Sequence, residues 1–252
     1  GGAPERADFA AWLACAAGTL GAFMALLDVS IVNASLPVIQ GEIGATQSEG
    51  TWVGPRYLVA EIVVMPLPAW RERLLGLRRV LLIGATFFTI FSVICGFADD
   101  LTTMIAGRIG QGLAGGTLIP TGMTIMAKRL PPSQQSIGIS IFAAAALLGP
   151  ILGPLVGGWI TESFGWNYIF LINVPICAGL LVLIMAGLPK EPGDLRELVN
   201  ADGFGVAGMM LGLGSLTVML EEGHREQWFE SPLIWNLAIA SVTGFVLVAI
   251  GQ

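Results

Sequence analysis

The sequence predicts an all-α integral membrane protein, and three observations carry that prediction. Hydrophobic residues are 54% of the 252 and charged residues only 12%, against roughly 25% charged in a soluble domain. The mean hydropathy is +0.77. Apolar runs of about 20 residues, each enough to cross the hydrocarbon core as a helix, recur along the chain between charged or Pro/Gly-rich breaks.

Eight spans follow, near 13–36, 52–70, 79–98, 101–127, 136–160, 168–188, 202–220 and 234–250. The first is too long, and too polar in its second half, for a cleaved signal, and seven more follow it. The second opens near Pro55, a residue suited to a first helical turn, and Arg56 beside it reads as a side chain reaching the interface. The third ends at Asp99 and Asp100, and the fourth carries Arg108. The fifth is rich in Gly and Pro, and the sixth closes a group of six. The last two form a hairpin after a polar stretch. The organisation is therefore a tail at 1–12, six spans over 13–188, a linker at 189–200 and a two-helix hairpin over 201–252.

Nine of the twelve Lys and Arg flank alternate spans on one side: Arg6, Arg71, Arg73, Arg78, Arg79, Lys128, Arg129, Lys190 and Arg196. The opposite loops hold only Arg225. The positive-inside rule then puts the N-terminus and the cation-rich loops in the cytoplasm.

Arg108 lies within a stretch otherwise apolar enough to span. A cation at that depth costs on the order of 3 kcal/mol, so an acid at similar depth is the expected partner. Asp28 and Glu61 are the acids well inside other spans. Asp28 lies nine residues before Pro37 and Arg108 seven after Leu101. If those residues end their spans, both charges sit roughly 10–14 Å below the outer surface and can meet. Glu61 falls nearer mid-membrane. An embedded Arg with an embedded Asp reads as an ion or solute pathway.

In span 5, Gly149, Gly153 and Gly157 recur at steps of four, with Pro150 and Pro154 beside them and Gly158 following. That spacing places the glycines on one face, where another helix backbone can come close, and the prolines remove backbone donors. Span 4 repeats the theme in Gly112 and Gly116, with Arg108, Gln111 and Gly115 on a shared face.

Several classes of function are excluded. The three cysteines, Cys15, Cys95 and Cys177, are scattered in apolar runs, and His224 stands alone, so no disulfide framework, metal site or cofactor is expected. No paired aspartates, Ser–His arrangement or HExxH marks an enzyme. Nucleic acid is not a plausible ligand.

Four motifs carry a family resemblance: LDVSIVNASLP (Leu27–Pro37), GRIGQGLAGG (Gly107–Gly116), GPILGPLVGG (Gly149–Gly158) and WNYIFLINVP (Trp166–Pro175). Together they resemble the drug:proton antiporters of the major facilitator superfamily, above all the fourteen-span Emr/Qac-type multidrug exporters. The resemblance implies a six-helix N-terminal bundle plus a linker hairpin. By the same resemblance Asp28 is the proton-coupling acid and Arg108 tunes its proton affinity. Asn33, Glu61 and Gln111 are candidates for the substrate cavity. Gly107, Gly112, Gly115 and Gly116 belong to the fourth-span motif. Gly149, Pro150, Gly153, Pro154, Gly157 and Gly158 form the antiporter motif, a bend and seam between transporter halves.

One motif departs from the family. Between spans 2 and 3 the family has Gly-x-Leu-x-Asp-Arg-x-Gly-Arg, a loop that latches the cytoplasmic side. Aligned on Gly76, this chain has Ala69, Arg71, Arg73 and Leu74 at the Gly, Leu, Asp and Arg positions. Glu72 lies one place from the acid, and Arg73, Gly76, Arg78 and Arg79 complete the candidate gate. A fourteen-span exporter needs about twice this length, so the chain reads as an N-terminal half, either a fragment or one piece of a split protein.

The function implied is export of amphiphilic or cationic drugs against protons across a bacterial inner membrane, hence antibiotic resistance. The implied partners are membrane lipid, a second transporter half and a periplasmic adaptor. The alternative is a half or assembly subunit that does not transport by itself.

Overall fold

In the computed structural model residues 6–46, 50, 53–194 and 203–251 are described. All regular elements among them are helical: α1 (Phe9–Glu42), α2 (Val53–Val64), α3 (Pro68–Leu75), α4 (Leu77–Gly96), α5 (Leu101–Arg129), α6 (Pro132–Phe164), α7 (Tyr168–Leu171), α8 (Asn173–Gly187), α9 (Gly203–Glu222) and α10 (Pro232–Gly251), with one 3₁₀ turn at Trp228–Glu230. Six spans are long and apolar enough to cross a bilayer, formed by α1, α4, α6, α7 with α8, α9 and α10. At 29 residues, α5 is also long enough, roughly 43 Å. Parts of the expected tail (1–5) and linker (195–200) lie outside the described residues.

Local chemistry explains where the helices start and stop. Asp8 caps α1, its Oδ1 accepting from the Ala11 amide at 2.8 Å. Asp100 caps α5 in the same way, accepting from the Thr103 amide at 2.9 Å and the Thr103 hydroxyl at 2.7 Å. These bonds hold the Asp100 carboxyl below its ordinary range.

Three expected boundaries are corrected. Pro37 does not end the first span: α1 runs through it to Glu42. An internal proline costs about 3 kcal/mol, and burial of Ile39 in the core on the far side helps to offset it. The second span is two helices, because Pro66 and Pro68 lack amide donors and restrict the residues before them. The chain turns at Met65–Leu67 and resumes as α3. The sixth span breaks at Ile172, since Pro175 cannot donate to the carbonyl of Leu171 four residues back.

α1 packs against α6, α5 and α8; α4 against α5 and α8; and α2 against α5. α9 and α10 pair as the hairpin, with α9 touching α2. The apolar core divides into two clusters. One holds Met24 and Ala25 of α1, Leu81 and Phe88 of α4, Leu118 and Ile125 of α5, and Leu180 and Ile184 of α8. The other holds Leu27, Ile31 and Ile39 of α1 with Cys95, Met104, Ile160 and Phe170. The boundary between them falls near residue 28 of α1, residue 92 of α4, residues 108–111 of α5 and the start of α8.

The glycines of α6 meet α1. A side-chain carbon on Gly149, Gly153 or Gly157 would lie against Leu26 and Leu27, Ser30 and Ile31 respectively, while Gly158 faces open space. This close contact joins two helices of the same bundle, and α6 is helical through both prolines.

Candidate functional site

A polar layer occupies the boundary between the two apolar clusters. α1 supplies Asp28, α4 Ser92, α5 Arg108 and Gln111, and α8 Asn173. Each is at most 1% exposed. Arg108 and Gln111 are three residues apart and so share a helix face.

The layer is organised around the Asp28 carboxylate. Its Oδ2 accepts from Arg108 Nη1 at 2.6 Å, and its Oδ1 accepts from Asn173 Nδ2 at 2.9 Å and from Gln111 Nε2 at 3.2 Å. Arg108 Nη1 also donates to Gln111 Oε1 at 2.9 Å. Asn173 Nδ2 reaches Ser92 Oγ at 2.8 Å, and the Ser92 hydroxyl donates to the carbonyl of Phe170 at 2.8 Å. Three donors from three residues thus converge on one buried carboxylate, a charge-assisted arrangement.

Arg108 is less completely satisfied than its partner. Its guanidinium lies over the Tyr57 ring, 4.3 Å from the centroid, a cation–π contact. Yet among the described residues its Nε and Nη2 find no hydrogen-bond partner, and neither does the buried Tyr57 hydroxyl. Orphaned buried donors are uncommon and costly. Glu61, one turn beyond Tyr57 on α2, is 7% exposed. The α2–α5 side of the ion pair therefore carries unused hydrogen-bonding capacity next to a second buried acid.

The remaining predicted residues divide by place. Gln111 belongs to the polar layer. Asn33 is exposed and lines, with Ser30, Pro150 and Pro154, a 460 Å³ groove between α1 and α6, where the Ser30 hydroxyl donates to the Pro150 carbonyl at 3.0 Å. Gly107 packs on Cys95, and Gly115 beside Tyr57 and Phe88. Gly112 and Gly116 lie against the Tyr57 and Glu61 carbonyls, leaving no room for a side chain.

The candidate gate lies at the other end of α5, away from the ion pair. Buried Glu72 faces Lys128 at 3.6 Å. Gly76 closes α3 at φ +82°, a conformation that favours glycine. Arg78 Nη1 donates to the Leu188 carbonyl at 3.1 Å, and the Arg73 carbonyl accepts from the Asp194 amide at 3.1 Å. Arg79 is exposed.

Asn173, Ser92 and Tyr57 escaped residue-level reasoning. Asn173 stands inside a motif that had been recognised, so an amide in an apolar span beside Pro175 was the available signal. Ser92 gave none, being a single hydroxyl in an apolar run. Among the described residues, no three His, Cys, Asp or Glu gather as a metal site would require.

Comparison with known proteins gives the family. The family model described as Major Facilitator Superfamily matches residues 18–252. The multidrug export protein EmrB of Haemophilus influenzae is 34% identical over 237 residues, which are 93% of this chain and 46% of that protein. EmrB of Escherichia coli K12 is 33% identical over 235 residues, 93% and 46% respectively. The fatty acid resistance protein FarB of Neisseria gonorrhoeae is 33% identical over 243 residues, 95% and 47%. The chain thus spans about half the length of the curated relatives it matches. Among solved structures, the proton:xylose symporter XylE superposes with a TM-score of 0.63 at 17% identity, over 96% of this chain and 56% of that one. The human organic anion transporter MFSD10 gives 0.60 at 15%, over 96% and 71%. At such identities these two speak to the fold alone.

Proposed function

This chain belongs to the major facilitator superfamily, and from that premise we propose that it forms one six-helix half, with an adjoining hairpin, of a proton-driven exporter of amphiphilic drugs. The observation that supports this best is the Asp28 carboxylate, held in the bundle interior by Arg108, Gln111 and Asn173. Relatives at 33–34% identity over most of the chain bear the name of multidrug export proteins.

In this reading Asp28 is the coupling acid. A proton on Asp28 removes its charge, so Arg108 loses its ionic partner. The unused Nε–H and Nη2–H of Arg108 then bias the guanidinium toward the α2 side, where Glu61 lies. Protonation thereby becomes a rearrangement at the α1–α5 and α2–α5 contacts, the kind of differential interaction a switch between two states requires. Substrate occupies the exposed face around Asn33 and the α1–α6 groove, while Glu61 is a second acid on the α2–α5 side of the cavity wall. A second six-helix half completes the cavity, and the two halves rock about it. Glu72 facing Lys128, with Gly76, Arg73, Arg78 and Arg79, steadies the cation-rich rim. A periplasmic adaptor is a further partner of the complete exporter.

The test is the full-length protein in liposomes with an imposed pH gradient and a fluorescent lipophilic cation. Substrate should drive proton movement, whereas verified monomers of the 252-residue chain should give none. Absence of substrate-linked proton flux from the full-length protein would overturn the proposal.

In the same reading the protein sits in a bacterial inner membrane with its N-terminus in the cytoplasm. Ser133 and His224 are both exposed, and this reading puts them on opposite sides of the membrane. With the native cysteines replaced, His224→Cys should react with an impermeant thiol reagent in intact cells and Ser133→Cys only after lysis. Equal labelling of the two would refute the orientation.

A further inference from the structure

Arginines near the end of a span ordinarily reach outward to water. Arg71 does the reverse. It lies on α3, at the rim where Glu72 faces Lys128, yet its Nη1 donates to the Thr117 hydroxyl at 2.7 Å, twelve residues short of Arg129 along α5. Its head therefore reaches a level about 18 Å, a little over three turns, inside the Arg129 end of α5, below the polar rim. The side chain is half-buried.

The head sits at one end of a cavity of about 420 Å³ between α3, α4 and α5, within the roughly 300–1,000 Å³ range of ligand pockets. From Arg71 the cavity extends past Gly84 and Phe87 toward Phe91, and past Thr117 toward Leu113 and Gly110. Apart from Arg71, no charged residue lines it. Its mouth is apolar and outward-facing: Phe87 is 51% exposed and Leu113 41%. A cation at the rim end and an apolar end toward mid-membrane are complementary to an acidic head and a hydrocarbon tail, in the sense in which a lipid of the adjoining leaflet lies.

We propose that the α3–α4–α5 cavity binds one anionic phospholipid from the leaflet on the Lys128 and Arg129 side, its phosphate against Arg71 and an acyl chain along Gly84, Phe87 and Leu113. An anionic head answers the guanidinium, which no acid lining the cavity neutralises, and the chain fills space that bilayer tails would otherwise fill loosely. The Arg71 end lies away from the Asp28–Arg108 layer, the apolar end reaches its depth at Phe91 and Gly110, and the site does not depend on the export reading.

Trp70 lines the same cavity and supplies the probe. The full-length protein, with Trp70 as its sole tryptophan, is placed in nanodiscs containing phosphatidylglycerol or phosphatidylcholine with brominated acyl chains. Brominated phosphatidylglycerol should quench Trp70 with at least a threefold higher apparent affinity than brominated phosphatidylcholine at equal mole fraction. Arg71→Gln should abolish that preference, and Arg71→Lys should keep part of it. The parent comparison stands by itself should Arg71→Gln fail to fold. Equal quenching by the two lipids overturns the proposal, as does a preference unchanged in Arg71→Gln. Quenching by a brominated fatty acid, with no distinction between the phospholipids, also overturns it. No quenching by any of them shows the cavity covered by protein and overturns it too.

Discussion

Asp28→Asn in the full-length transporter should abolish proton-coupled efflux while the protein still inserts in the membrane. Both carboxylate oxygens accept in the native layer, Oδ2 from Arg108 and Oδ1 from Asn173 and Gln111. An asparagine has one accepting oxygen and one donating nitrogen. In one orientation its amide nitrogen faces Arg108, and in the other it faces the donors of Asn173 and Gln111. Either way a donor meets a donor, and Arg108 is left as a buried cation without its counter-charge. Breaking a buried pair from one side typically costs about 3–5 kcal/mol. The variant should therefore melt lower than the parent and fail to move protons with substrate. Arg108→Ala should fail likewise. The double variant should be more stable than the sum of the single effects predicts, because it leaves no orphan charge. Proton-coupled transport at the parent rate by Asp28→Asn would remove Asp28 from the coupling role.

The charged pair of this layer and Gln111 were legible in the sequence, and Ser92 and Asn173 were less so. Asp28 and Arg108 stand out because ionised groups are rare at bilayer depth, so two of them in separate spans announce a pair. Serine and asparagine carry a smaller penalty, so Ser92 gave no signal and Asn173 only that of an amide beside Pro175 in an apolar span. Tyr57 was obscured for another reason. Its role comes from lying over Arg108, a contact between α2 and α5 that no local pattern encodes.

Span existence was legible from apolar length, and span ends less so. Pro37 was read as a stop, but an N–H missing from a helix can be tolerated where the next turn is buried, as Ile39 is. Pro66 and Pro68 did break their span. There, two prolines within three residues remove two donors, and the segment beyond them, which carries Arg71, Glu72 and Arg73, is too polar to hold the run together by burial. The glycine steps of α6 were read correctly as a close-packing face, but spacing cannot name the partner. That partner is α1.

The second large effect should come from glycines that touch no charge. Gly112 and Gly116 let α2 approach α5 so closely that a side chain on either would run into the backbone carbonyl of Tyr57 or Glu61. Backbone cannot swing aside as a flexible side chain can, so Gly112→Leu or Gly116→Leu must push the two helices apart or prevent their docking. Overpacking of this kind costs about 1–3 kcal/mol, and more where nothing yields. The consequence reaches the ion pair, because the Tyr57 ring that covers Arg108 moves with α2. Both variants should lower the melting temperature of the detergent-solubilised protein sharply and lose transport. Gly158→Leu, in a span just as apolar but with open space beside it, should leave both nearly unchanged. If all three substitutions gave the same melting temperature, α2 would not be held to α5 by these glycines. Its tyrosine could then not be what keeps the buried arginine in place.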